Sequence, residues 1–261
     1  MGIDCMTNSW RWAGARSIGT SHVKTETACQ DFACAKLFIR PEGQIMVAVV
    51  SDGAGSASHA DTGSKLVCLS FLRACREFLI AKPLEELTED DVWDWLDEVR
   101  ETINAKASSR DLRPRDFAST LVAVLAGPKA SIVVHIGDGA AVWRKPGDEE
   151  WEVPSWPYHG EYASTTVFVT DDPQPQLSYF RMDEPIQEFA LFSDGIERLV
   201  LEQATRSAHA PFFNRMLAPL KTSDAVGPDK HLSAALKDYL GSAAVCERTD
   251  DDKSLILGVR T

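Results

Sequence analysis

The spacing of apolar residues changes along the chain, and each change marks a predicted element. Residues 31–39 alternate loosely between apolar and polar, while 44–50 form a near-continuous apolar run that stops at Ser51-Asp52-Gly53. Both patterns predict strands. After the small-residue loop 54–58 the period lengthens. Cys68, Leu69, Leu72, Cys75 and Leu79 mark the face of a helix over 61–80, and Pro83 stops it. A second helix starts at Thr88, where Thr88-x-x-Asp91 has the form of a capping box, with Val92, Leu96, Val99 and Ile103 as its buried stripe. Further strands are predicted at 119–125, 131–136, 140–143, 165–169, 187–192 and 254–259. Residues 145–161, rich in Pro and Trp, predict a loop or flap. Residues 202–241 predict a helical insertion broken by Pro211, Pro219 and Pro228. No repeat, low-complexity stretch or linker divides the pattern. The expectation is one α/β domain over 1–261, with helical layers outside a sheet core.

Composition narrows the class. The 261 residues are 44% apolar and 25% charged, a balance that fits a soluble globule. A domain of this size buries about three quarters of its unfolded surface and needs no metal or disulfide merely to fold. The formal net charge of −12 excludes a general binder of nucleic acid or anionic membrane, because no basic surplus exists to displace counterions. A phosphorylated partner stays open if the acids hold cations. The longest apolar run, 45–50, is too short to cross a bilayer. Residues 1–6 carry neither a secretory n-region nor the myristoylation pattern, so a cytoplasmic location is expected. Cys5, Cys29, Cys34, Cys68, Cys75 and Cys246 include no Cys-x-x-Cys pair and are expected to be reduced, mostly buried thiols.

The acids carry the candidate chemistry. Three apolar strands run into an Asp-Gly pair, at Asp52-Gly53, Asp138-Gly139 and Asp194-Gly195. A fourth strand is preceded by Asp250-Asp251-Asp252. Strands deliver their terminal residues to a sheet's edge, so such acids can converge. Clustered carboxylates repel unless cations lie between them, and an all-oxygen donor set suits hard ions such as Mg²⁺ and Mn²⁺. A single Asp-Gly after a strand is an ordinary turn. Four acids in the same situation favour a divalent-metal site without naming its reaction.

The ordered motifs Gly19-x-Ser21-His22, Cys29-Gln30-Asp31, Ser51-Asp52-Gly53-Ala54-Gly55-Ser56, Ala118-Ser119-Thr120-Leu121, Ile136-Gly137-Asp138-Gly139, Phe192-Ser193-Asp194-Gly195 and Asp251-Asp252-Lys253-Ser254 together resemble the metal-dependent protein phosphatases of the PPM (PP2C) family, closest to its small bacterial branch. The resemblance spans nearly the whole chain. It implies an α+β fold of four layers, α-β-β-α, in which a central antiparallel β-sandwich is flanked by a helix pair on each outer face. It also implies two Mn²⁺ or Mg²⁺ ions, or three, and phosphomonoester hydrolysis by a water or hydroxide bridging the ions. By position the bridging acid is Asp52, with the Gly53 carbonyl beside it. Asp194 and Asp251 match the remaining acids of the two-ion core, and Asp52, Asp194 and Asp251 together would support catalysis. Asp138 matches an acid sharing a third ion with Asp194, and Asp31 an acid acting through water. Asp252 stands where the family often has Asn.

Other positions depart from the pattern. The first acid pair is Gln30-Asp31 rather than Glu-Asp, Ala54 replaces a histidine thought to protonate the leaving group, and the phosphate-binding arginine is absent. His22, in a frame where Arg is usual, or Lys24 is the candidate replacement. The alternative for His22 is a purely structural hydrogen bond. His59 and His135 read as a helix-start and a packed residue. Trp151, Trp156, Tyr158 and Tyr162 read either as loop packing or as a substrate surface.

A cytoplasmic serine/threonine protein phosphatase acting on phosphoprotein substrates, with a possible cognate kinase, is the leading expectation. Two alternatives remain, a metal phosphohydrolase for small phosphorylated molecules and a pseudophosphatase or phosphoprotein-binding regulator. Retention of the metal aspartates argues against the last.

Overall fold

A strand buried on both faces reads as an unbroken apolar run, and the computed structural model, which describes residues 9–158 and 166–261, places such strands in two packed sheets. In chain order the strands are β1 (Trp10–Ser17), β2 (Phe32–Arg40), β3 (Gly43–Ser51), β4 (Leu121–Ala126), β5 (Ser131–Ile136), β6 (Ala140–Arg144), β7 (Glu152–Ser155), β8 (Ser178–Met182), β9 (Glu188–Phe192), β10 (Leu201–Glu202), β11 (Ser207–Ala208), β12 (Gly227–Pro228) and β13 (Lys253–Arg260). One sheet has the order β12-β1-β13-β9-β6-β7 and the other β2-β3-β4-β5-β8. Their ladders are antiparallel except for the two-residue pairing of β12 with β1. The helices are α1 (Thr20–Lys24), α2 (Ala60–Ala81), α3 (Glu89–Ser108), α4 (Glu197–Val200), α5 (Ala210–Thr222), α6 (Lys230–Leu240) and α7 (Ala243–Cys246).

β3 shows how the layers are built. Met46, Ala48 and Val50 point into the sandwich against Val122, Val133, Leu191 and Ile256. Ile45, Val47 and Val49 point the other way, onto Val67, Phe71, Leu96 and Val99 of α2 and α3. The period-two alternation of a strand therefore feeds two cores at once. On the far side, Phe192, Leu255 and Leu257 meet Phe213, Leu217, Leu236 and Leu240 of α5 and α6. The result is the four-layer α-β-β-α arrangement. Fully burying one such side chain contributes roughly 1.5–3 kcal/mol, so each layer contact is substantial.

The Thr88/Asp91 capping box forms as expected, and the stripe from Val92 to Ile103 is buried. Three expectations need correction. Residues 166–169 form no strand; Val169 instead packs against the α3 core, with its N–H donating to the Ser119 carbonyl at 2.9 Å. The span 202–241 is helical only in α5 and α6, because β10 and β11 form a short hairpin and β12 joins the sheet edge. Within 145–158 the chain forms β7 on the edge of its sheet, and Trp151 is buried against Phe213. Cys5, residues 159–161 of the expected flap, Tyr162 and Thr165 lie outside the described residues. No helix among the described residues is long and apolar enough to cross a membrane.

Candidate functional site

The register of the ladders brings the strand-end acids together. Val50 of β3 pairs with Val122, and Leu121 pairs with Ile136, so β3 and β5 finish at the same end of their sheet. In the facing sheet Phe192 of β9 pairs with both Ala140 and Leu255. The end of β9, the start of β6 and the start of β13 therefore share one edge. Asp52, Asp138 and Asp194 converge there, each offering a carboxylate oxygen, and these oxygens all lie within 4.8 Å of one another. Asp194 Oδ1 is buried and meets no hydrogen-bond donor among the described residues. Asp251 lines a cavity of about 470 Å³ with Asp138, Asp194 and Asp250. A cluster of partly buried carboxylates, with Asp194 Oδ1 unmet by any donor among the described residues, fits divalent cations and is poorly suited to any neutral ligand.

Each acid is held from its backbone. The Asp52 N–H donates to Thr120 Oγ1 at 3.0 Å and its carbonyl accepts from the Thr120 N–H at 2.8 Å. Gly53 bridges Ser119, and a Cβ at Gly53 would sit 2.7 Å from Ala60 at the start of α2, so only glycine fits this approach. Asp31 is nearly fully buried, and its Oδ2 accepts from Ser193 Oγ at 2.7 Å. Ser193 Oγ in turn accepts from the Ser254 N–H at 3.0 Å, which ties the β2, β9 and β13 ends together.

The electrostatics match crowding. Burial, then repulsion from Asp31 and Asp194, pushes the Asp52 carboxyl well above the usual carboxylate range. Burial and the Asp138 and Asp251 charges do the same to Asp194. Asp31 is pushed up to about 6 by burial, with hydrogen bonds from Asp52 and Ser193 opposing the rise. Asp251 is raised as well, again mainly by burial. Cations placed among these groups would remove the penalty.

Asp252 behaves differently from its neighbour. Its carboxylate accepts from the Gly19 N–H at 2.6 Å, the Gln30 N–H at 2.5 Å and His22 Nδ1 at 2.9 Å. It thus clamps the 19–30 segment to the start of β13. Gln30 is buried, and its carbonyl receives Ser64 Oγ at 2.5 Å. His22 is joined to the site through Asp252. His59 is the residue before α2, with Nδ1 3.0 Å from Ser58 Oγ and its ring 5.3 Å from the Phe117 ring, and His135 is buried with Nδ1 2.7 Å from Ser155 Oγ.

The cavity also holds residues that the pattern did not single out. Arg198, Gln203 and Arg248 line it together with the acids. Arg198 lies four residues beyond Asp194 and Arg248 three before Asp251, so proximity to the acid motifs was the available signal.

Residues 18–241 match the family model described as protein phosphatase 2C. The chain is 32% identical over 255 residues to "Serine/threonine-protein phosphatase 3" of Escherichia coli (strain K12), covering 96% of this chain and 98% of that one. Among solved structures, PppA of Pseudomonas aeruginosa, described as a key regulatory component of T6SS, aligns with a TM-score of 0.63 at 18% identity, over 98% of this chain and 99% of that chain. The catalytic domain of the phosphatase PstP, solved with two manganese ions, aligns with a TM-score of 0.61 at 15% identity, over 98% of this chain and 100% of that chain. At these identities the solved structures establish a shared fold.

Proposed function

The chain belongs to the protein phosphatase 2C family, and from that membership we infer a metal-dependent serine/threonine protein phosphatase that uses Mn²⁺ or Mg²⁺. The observation that carries the site assignment is the convergence of Asp52, Asp138 and Asp194 oxygens within 4.8 Å of one another. Asp52, Asp194 and Asp251 would hold the principal ions, assisted by the Gly53 carbonyl. Asp138 would share a further ion with Asp194, and Asp31 would support the cluster from behind. When bound, the metal supplies Lewis-acid charge that lowers the pKa of water and neutralises a phosphoryl group. The remaining work falls to the chain. Thr120 and Ser193 fix the acids, and Arg198 and Arg248 offer guanidinium forks to an entering phosphate dianion.

The substrates on this reading are phosphoserine and phosphothreonine proteins, which a kinase must supply, and we place that cycle in the cytoplasm. Hydrolysis of p-nitrophenyl phosphate and of a phosphothreonine peptide should appear with Mn²⁺, vanish with EDTA and return with excess metal. Faster turnover of small phosphorylated metabolites than of the peptide would favour the small-molecule alternative. Metal binding with no turnover would favour a phosphoprotein-binding regulator.

His22 is assigned a proton-donating role, with Asp252 orienting Nδ1 so that Nε2 is the nitrogen left for substrate. His22→Ala should lower phosphoserine-peptide turnover by about 10²-fold, within the usual range for a general acid. The same change should barely affect p-nitrophenyl phosphate, whose leaving group needs little protonation. Equal losses on both substrates through KM would make His22 a phosphate anchor. Unchanged kinetics with a lower Tm would leave it only as part of the Asp252 clamp.

A further inference from the structure

A second cavity, separate from the acidic one, is walled by arginines. The end of α3, the 3-10 turn Pro114–Phe117 and the 170–172 loop enclose about 410 Å³, with Arg100, Asn104, Arg113, Arg115, Thr170 and Asp172 on its walls. Three guanidinium groups on one cavity stand out in a chain of net charge −12.

Their charges are poorly compensated. Arg100 donates to the backbone carbonyls of Val169 at 3.1 Å and Asp171 at 2.7 Å, which orders the loop but cancels no charge. Arg113 lies 3.9 Å from Asp116, with its own side chain 65% exposed, and such a pair contributes little. Arg115 is exposed and takes part in no ion pair among the described residues. Among the described residues Asp172 is the one acid on the wall. Guanidinium groups brought together this way repel one another and favour an anion between them, and their planar forks match carboxylate and phosphoryl oxygens.

The cavity is also joined to the metal-binding end by a short piece of backbone. The turn that carries Arg115 continues into Ala118, whose carbonyl accepts from the Ala54 N–H at 2.9 Å, then into Ser119 beside Gly53 and Thr120 beside Asp52. Five residues separate Arg115 from Thr120, so their Cα atoms are at most about 18 Å apart. An extended peptide of about five residues spans that distance. We propose that this arginine cavity docks an anionic side chain of the phosphoprotein substrate, a carboxylate or a second phosphoryl group, a few residues from the one being hydrolysed. The inference rests on the phosphatase reading and adds a preference in substrate sequence.

The experiment compares phosphothreonine peptides with neutral flanks, with flanking Asp and Glu, and with a second phosphothreonine, alongside p-nitrophenyl phosphate. In the unmodified protein kcat/KM should be about tenfold higher for the anionic peptides than for the neutral one, the scale of a single charge-assisted contact. In an Arg113→Gln/Arg115→Gln protein that gap should close while p-nitrophenyl phosphate turnover stays constant. A gain limited to the second phosphothreonine would assign the cavity to phosphoryl groups, and a gain for both to anions in general. No preference in the unmodified protein, or one that survives the double change, would overturn the proposal. Parallel losses on p-nitrophenyl phosphate would overturn it too, by making the arginines a support of the metal end. A fluorescent, unphosphorylated acidic peptide titrated in EDTA gives a readout free of catalysis. Its binding should weaken about tenfold in the double variant, and equal binding would reject the site. If nothing is hydrolysed yet this binding is lost in the variant, the phosphatase reading falls and the docking site stands.

Discussion

An Asp52→Asn protein is expected to fold normally and to lose phosphatase turnover by about three orders of magnitude or more. Asparagine keeps the shape of the side chain, and the backbone contacts to Thr120 that fix position 52 do not involve the carboxylate. What is lost is one negative charge at the centre of the Asp31, Asp138 and Asp194 group. Bound metal commonly supplies several kcal/mol of transition-state stabilisation. At about 1.4 kcal/mol per tenfold, that corresponds to about 10³-fold in rate. The loss should persist at saturating peptide and be accompanied by weaker Mn²⁺ binding in a calorimetric titration. In EDTA the same change should leave Tm equal or higher, because it relieves repulsion that the metal-free protein otherwise carries. Near-normal turnover in Asp52→Asn would remove Asp52 from the metal site. A large fall in Tm would instead make its carboxylate a structural group.

The elements legible in the sequence are those whose burial is extreme. β3, β4, β5 and β9 are buried along most or all of their length, and apart from His135 their polar residues stand at the strand ends, so their apolar runs are scarcely interrupted. Their ends are marked because a chain leaving a packed sheet needs a turn, and the turn residues here are also the candidate ligands. β1 was missed because Arg11, Gly14 and Arg16 break its pattern and only Trp10 and Ala13 are fully buried. β8 is an edge strand with no buried residue, so its sequence carries little imprint of the sheet. β10, β11 and β12 are two residues each, too short for any period to register.

The site divides along the same line. Asp52, Asp138, Asp194 and Asp251 could be found from their places beside strands, but the division of labour within Asp251-Asp252 could not. Successive residues in extended chain point to opposite sides. Asp251 faces the cavity, while Asp252 turns inward to the Gly19 and Gln30 amides and to His22. That clamp depends on a contact between positions 22 and 252, which local spacing does not reveal. Arg198 and Arg248 sit beside the acid motifs in sequence, but on short segments with no periodic context, and only the folded cavity shows that both line it with the acids.

Metal-free protein is expected to be more stable near pH 5 than at pH 8, with Mn²⁺ reversing that order. In the unfolded chain each aspartate titrates near 3.9. In the folded protein Asp31 is pushed up to about 6, and Asp52, Asp194 and Asp251 are also raised, each chiefly by burial. Below about pH 4 both states hold these protons and the groups contribute no difference. Between pH 4 and the folded values, the folded state keeps protons that the unfolded chain has shed, so stability falls as pH rises. Above the folded values the loss is complete. Asp31, with a folded value of about 6, accounts for about 1.4 kcal/mol of the fall between pH 5 and pH 8. Buried His135, pushed down to about 4 by desolvation, works the other way and returns about 2 kcal/mol between pH 5 and its unfolded value of about 6.5, so the fall toward pH 8 rests on Asp52 and Asp194, both raised well above the usual carboxylate range. Asp91, Glu152 and Asp229 are also lowered, but they are far less buried, and solvent screening limits what they return. For a chain of this length about 1.4 kcal/mol corresponds to a Tm change of roughly 3–6 °C. Divalent metal competes with those protons and binds the folded state, so its stabilisation should grow from pH 5 to pH 8. Scanning calorimetry across that range, in EDTA and in Mn²⁺, reads both trends. A Tm in EDTA that climbs steadily toward pH 8 would mean that the acids are not crowded in solution. Asp52→Asn should flatten the EDTA curve, because removing one raised carboxyl removes its share of the fall.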